Sequence, residues 1–208
     1  MPRLAALNMA IDEVLLRTTP KPLLRFYRWR EQSVSFGYFD RFEEAHQFAG
    51  GRALVRRWTG GGIVPHGEDV TYSVMISPGE SAFHLSSPEI YRRIHEAIGA
   101  VLRKSGVNTE VVATAAPRIS AACFANPVAA DLVEDNRKIA GAAHRKTRGG
   151  LLHQGSIQRN DLDESFREQL ASALSSNVEP ADMSTGVLEA AEKLAADRYA
   201  TETWLRRR

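Results

Sequence analysis

One cysteine, Cys123, is all that the 208-residue chain contains. A single thiol excludes an internal disulfide and a cysteine-rich zinc site, and it makes a reducing cytoplasm the expected compartment. Long apolar runs are missing too, and no stretch approaches the ~20 residues of a bilayer crossing. The N-terminus, MPRLAALNMAIDEVLLR, holds Asp12 and Glu13 inside its apolar stretch. That reads as an amphipathic helix and not as a signal peptide. Neither GxGxxG nor GxxxxGK[ST] occurs, so the common dinucleotide and phosphate loops are excluded. There is no internal repeat, heptad array or low-complexity tract. Net charge is only +2, without a basic stripe interleaved with aromatics, which argues against a nucleic-acid binder. Lysine is scarce: 5 residues against 22 arginines. Where the chain writes lysine, the choice therefore carries information.

The 43% hydrophobic content supports one substantial core. Residues 4–17 have Leu4, Leu7, Ile11, Val14 and Leu15 at helical spacing. Strands are expected at 22–29, 33–39, 52–58, 70–77, 108–114 and 149–158, with a short helix at 41–49. The clearest helix starts near Ser87 and Pro88 and stops at Gly106. Residues 116–130 read as a loop. A hairpin follows, with Asp135-Asn136 at its turn. Two helices, 162–174 and about 186–198, come last. Strands outnumber helices and do not alternate strictly with them, so the expected fold is α/β (α+β), a mixed sheet flanked by helices.

Three stretches are candidates for chemistry. RRWTGGGIVPHGEDVTYS (56–73) joins Arg56, Arg57, Gly60, Gly61, Gly62 and His66 at the end of a strand. Bare glycines let main-chain N–H groups approach a ligand closely; a plain flexible turn is the competing reading. NRKIAGAAHRK (136–146) sets Lys138 two residues past the hairpin turn, with small Gly141, Ala142 and Ala143 beyond it. A lysine ammonium holds a phosphate or polarises a carbonyl; the competing reading is a solvated hairpin. Cys123, in SAACFANP, is either a buried small hydrophobe or a thiol activated by a nearby cation such as Lys138. His144 and His153 flank a glycine-bearing segment, His84 and His95 read as surface or packing residues, and no pair has metal-ligand spacing.

In order, LNMAIDEVLL, LRFYRW, SVSFGYF, RRWTGGGIVPHGEDVTYS, DLVEDNRKIAGAAHRKTRGGLLHQGSI and YATETW resemble the biotin/lipoate protein ligase catalytic-domain family. More narrowly they resemble its lipoate branch, which holds lipoate-protein ligases and the related octanoyltransferases. The resemblance runs along nearly the whole chain and implies one catalytic domain over 1–208 without a C-terminal accessory domain. It implies that Lys138 is the essential lysine, holding an acyl carbonyl or the phosphate of an acyl-adenylate. It further implies that Arg56, Arg57, Gly60, Gly61, Gly62 and His66 line the acyl pocket and its polar end. Gly141 and Ala142 lie beside the ligand, and Asp131 and His153 complete the expected binding set.

The branch is decided by small differences. ATP-dependent ligases usually have Asn-Asp ahead of the lysine hairpin, and here the pair is Ala130-Asp131. AACF with a proline four residues past the cysteine, EDVTYS and RKIAGAAHR are similar to the cysteine-dependent octanoyltransferases, in which a cysteine at the position of Cys123 takes the acyl group as a thioester. That resemblance implies an octanoyl or lipoyl group as substrate and no permanently bound cofactor. The implied acyl donor is acyl-carrier protein. The implied acceptor is a lipoyl-carrier domain, of the glycine cleavage H protein or the 2-oxoacid dehydrogenase E2 type. No membrane or nucleic-acid partner is expected. The alternatives are an ATP- and Mg-dependent lipoate-protein ligase, with adenylation aided by a partner protein, and a non-catalytic carrier-domain binder.

Overall fold

The computed structural model describes residues 4–114 and 127–207. Its main sheet has six strands, all antiparallel: β1 (Leu23–Tyr27), β5 (Val70–Ile76), β9 (Gly150–Ile157), β8 (Arg137–Thr147), β7 (Leu132–Glu134) and β6 (Thr109–Val111), in that spatial order. A second sheet has β2 (Ser33–Phe36) at its centre. It pairs in parallel with β3 (Ala53–Arg56) and antiparallel with β4 (Val64–His66). The expected mixed α/β arrangement of sheet and helices is what the chain adopts.

Alternation sorts the strand side chains to two faces. Tyr72, Val74 and Ile76 of β5 pack with Ile90, Ile94 and Ile98 of α3 (Ser87–Lys104), and Phe166 and Leu170 of α4 (Glu164–Leu174) extend that core. Met75 and Leu152 face the other way, onto Ile11 and Val14 of α1 (Ala5–Thr18) and Ala191 of α5 (Thr185–Leu194). The small sheet buries Val34 and Phe36 against Phe42 and Ala45 of α2 (Phe42–Ala49).

Helix α1 differs from a simple amphipathic helix, because Asn8, Asp12 and Glu13 are fully buried. Burial of the two carboxylates is tolerated because each is paired. Asp12 meets Arg25 at 2.5 Å, and Glu13 meets Arg17 and Arg198. Ser86, one residue before the expected Ser87, caps α3 by accepting from the Glu89 N–H. Gly106, at φ +85°, follows the end of α3 as expected. Asp135 and Asn136 both have positive φ, the turn that a two-residue hairpin requires. Strand β4 and the terminal turn α6 (Glu202–Leu205) have no clear periodicity and are not foreseen in the sequence.

Candidate active site

A narrow cavity of about 30 Å³ lies between the two sheets, smaller than the usual range for ligand pockets. Met9, Tyr27, Trp29 and Val64 give it an apolar wall. Its other walls are thin: main chain at Gly61, Gly141 and Gly155, and the small side chains of Ala142 and Ala143. Gly61 has φ +85°, and a Cβ there would come within 3.0 Å of Ala143 Cβ. The close approach of loop and strand therefore requires glycine at this position.

Arg57 organises the glycine loop from inside. Its Nη2 donates to the carbonyls of Gly60 and Gly62 at 3.0 and 2.8 Å, and its Nη1 donates to Ser35 Oγ at 2.6 Å. Ser35 Oγ lies 2.6 Å from His66 Nε2, and His66 Nδ1 lies 2.8 Å from Asp69. The carboxylate only accepts, so Nδ1 carries the proton and Nε2 accepts from the Ser35 hydroxyl. Asp69 also accepts from Thr71, Ser156 and the Gly67 N–H. Burial pushes the His66 ring below its ordinary 6.5, Asp69 offsets part of this, and the charge of Arg57 adds to the depression. Burial pushes Asp69 up, but His66, Ser156 and the Gly67 N–H outweigh it and hold Asp69 below 3.8. The spacing is that of a Ser-His-Asp relay. Arg57 donating into Ser35 Oγ makes the hydroxyl a support for the guanidinium, and not a nucleophile.

Lys138 is buried and ion-paired with Asp131 at 2.7 Å. The register of β7 and β8 shifts between Leu132 and Val133, a bulge that leaves Ile139 of β8 as the extra residue. Bulges re-aim side chains. Here the shift brings Lys138 across Gly141, three residues on, which strict alternation would place on the opposite face. A Cβ on Gly141 would lie 2.4 Å from Lys138 Cε and 2.7 Å from Nζ. Asp131 also accepts from the Tyr91 hydroxyl at 2.5 Å, and that hydroxyl accepts from the Ala142 N–H at 2.8 Å. A buried carboxylate, a buried ammonium and a cavity wall thus share one hydrogen-bonded frame.

Of the expected site residues, Arg57, Gly61, His66, Gly141 and Ala142 line the cavity, and Lys138 with Asp131 adjoins it at Gly141. Gly60 and Gly62 hold the loop through their carbonyls. Two positions are corrected. Arg56 is turned away: among the described residues its guanidinium donates to carbonyls, those of Gly37, Tyr38, Asp40, Trp204, Leu205 and Arg207. It anchors the C-terminal segment. His153 stands behind the cavity wall among the rings of Tyr72, Tyr91 and His95, because strand alternation gives the cavity to Gln154 and Ser156 instead. His95 is fully buried in the same cluster, not at the surface. Cys123 lies outside the described residues. Ser35, Asp69, Tyr91 and Gln154 belong to the site but were not singled out from the sequence. Ser35 and Gln154 are polar positions within strands, Asp69 lies in the turn between β4 and β5, and Tyr91 is on α3; none of them carries a motif of its own. Among the described residues, no group of three or more His, Cys, Asp or Glu is arranged to hold a metal ion, and no helix is long and apolar enough to cross a membrane.

Residues 5–192 match the lipoyl protein ligase A/B catalytic domain. Octanoyltransferase LipM of Kyrpidia tusciae is 30% identical, covering 96% of this chain and 94% of that protein. Octanoyltransferase LipM of Bacillus subtilis is also 30% identical, covering 96% and 93%. Among solved structures, a putative lipoate protein ligase from T. acidophilum with bound lipoic acid shares the fold. Its TM-score is 0.79 at 23% identity, covering 99% of this chain and 95% of that one.

Proposed function

The chain belongs to the lipoyl protein ligase A/B catalytic domain family, and we propose that it transfers an octanoyl group onto a lysine of a lipoyl-carrier domain. The observation that carries this reading is Lys138, buried and paired, lying across Gly141 at the wall of an apolar cavity. The cavity takes an acyl chain along Met9, Trp29 and Val64. The lysine ammonium is the group that holds the acyl carbonyl oxygen as charge develops on it.

The donor is an acyl thioester on a carrier protein. The Cys123 thiolate attacks its carbonyl carbon, a new C–S bond forms, and the donor's C–S bond breaks. The departing donor thiolate takes up a proton. The neutral ε-amine of the acceptor lysine then attacks the acyl-cysteine. An amide forms, the amine loses a proton, and Cys123 leaves as the thiolate. Each step exchanges one acyl bond for another, and thioester to amide is downhill, so this route consumes no ATP. The acceptor is a carrier domain of the glycine cleavage H or 2-oxoacid dehydrogenase E2 type, and the reaction takes place in the cytoplasm.

The test is intact-protein mass spectrometry after mixing with octanoyl-acyl carrier protein, without ATP. The expected result is a hydroxylamine-sensitive octanoyl adduct that is absent in Cys123→Ala. No adduct, with free lipoate instead attached to a carrier domain only when ATP and Mg are present, would assign the chain to the ligase chemistry.

A further inference from the structure

Ala130 has a φ of +70°, the one alanine with a positive value among the described residues. It is the third residue of a turn closed by the Asp131 N–H donating to the Val128 carbonyl at 3.0 Å. A turn with positive φ at that position favours glycine or asparagine, because an alanine Cβ crowds the following carbonyl. Such strain persists only where the surroundings over-determine it. Here they do. The Ala130 N–H donates to the Val112 carbonyl at 2.7 Å, and its carbonyl accepts from His95 Nδ1 at 2.6 Å.

The direction of every hydrogen in this chain follows. A carbonyl only accepts, so the proton of His95 is on Nδ1, and Nε2 accepts from the Tyr72 hydroxyl at 3.0 Å. The Tyr72 oxygen in turn accepts from His153 Nε2 at 3.3 Å. That leaves His153 Nδ1 as a bare lone pair, and it has no partner among the described residues. His95 is therefore fixed from behind by two rings while it grips Ala130 in front. The next residue is Asp131, whose Oδ2 meets Lys138 at 2.7 Å and the Val128 N–H at 2.7 Å.

We propose that His95 is a positioning residue for Lys138. Its Nδ1–H holds Ala130 in the left-handed conformation, and that backbone angle sets the Asp131 carboxylate that orients the lysine. The consequence for acyl transfer rests on the reading that Lys138 holds the acyl carbonyl.

Two readouts separate the parts of the test. The four lysines other than Lys138 are exposed, so in protein labelled with 15N-lysine the ammonium of Lys138 is the protected one. In His95→Leu this ammonium signal is expected to weaken or vanish. Octanoyl transfer should fall by about 5- to 30-fold, the factor equivalent to an alanine's left-handed penalty. Adding Ala130→Gly, which adopts that conformation freely, should restore both. A side chain that only packs would not be rescued in this way. His95→Asn keeps an N–H donor in place of Nδ1 and should retain the signal, which keeps the test open if His95→Leu does not fold. An undisturbed signal in His95→Leu, a double variant no better than the single one, or a lost signal in His95→Asn overturns the proposal. A signal lost and restored while transfer never changes would support the positioning and remove Lys138 from the reaction.

Discussion

Lys138 lies across the bare Cα of Gly141, with Nζ 2.7 Å from where a Cβ would stand. The glycine is a slot for the lysine, and filling it moves the ammonium. Gly141→Ala should lower kcat by about 100-fold, the cost of displacing a reacting group by roughly an ångström. Steady-state kinetics check this, and a wild-type rate would mean that the lysine does not act from this position.

Ser35→Ala separates two roles for the Ser35–His66–Asp69 relay. As a support, Ser35 gives His66 Nε2 its donor and holds Arg57 Nη1. Its loss should destabilise the fold by about 1–3 kcal/mol, the cost of a buried polar group left unsatisfied. Because Arg57 also holds the Gly60 and Gly62 carbonyls, KM for the acyl donor should rise with little change in kcat. Denaturant titration and kinetics check both. A collapse of kcat by about 10⁴-fold or more would instead make Ser35 a nucleophile.

Arg56→Lys addresses the other arginine of the pair. The planar guanidinium reaches carbonyls on both the 37–40 loop and the C-terminal segment, and a lysine cannot span them. Stability should drop by about 3 kcal/mol or more, since hydrogen bonds to charged groups are worth roughly 1.5–3 kcal/mol each. At temperatures where the variant stays folded, transfer should persist. Thermal melting beside an activity assay checks this, and lost transfer in a folded variant would return Arg56 to the acyl site.

Local signals in the sequence account for what was legible. Helix α3, the Asp135-Asn136 hairpin and the small residues beyond Lys138 all follow from spacing within a few residues, and the structure has them. The arginine pair shows the limit. Arg56 ends β3 and Arg57 follows it directly, and the two side chains point to opposite sides of the extended chain. Only tertiary context says that Arg57 meets the glycine loop while Arg56 meets the carbonyl of residue 205. The same holds for Lys138 and Gly141, where a bulge outside any sequence periodicity decides the face. His95 reads as a surface or packing residue because its partner, the Ala130 carbonyl, is backbone, and sequence carries no mark of an acceptor 35 residues away.

Buried neutral histidines also fix how stability depends on pH. Burial lowers His66 below its ordinary 6.5, takes His95 to about 4, and puts His153 well below 6.5, with the neighbouring His95 and His144 adding to the last. In the unfolded chain each returns to about 6.5. Below that pH the unfolded state binds protons that the folded state refuses, so stability is full above pH 6.5 and falls as pH drops toward the folded values. For His95 the fall from 6.5 to about 4 is worth about 3 kcal/mol at 1.36 kcal/mol per unit. On a chain of this size that lowers Tm by roughly 6–12 °C between pH 7 and pH 4. Calorimetry across that range checks it, and His95→Asn should remove the His95 share of the slope. A Tm that stays flat from pH 7 to pH 4.5 would mean that these rings already carry their protons in the folded protein. The Nε2 atoms of His66 and His95 would then donate, and the hydrogen-bond directions assigned to Ser35 and Tyr72 would reverse.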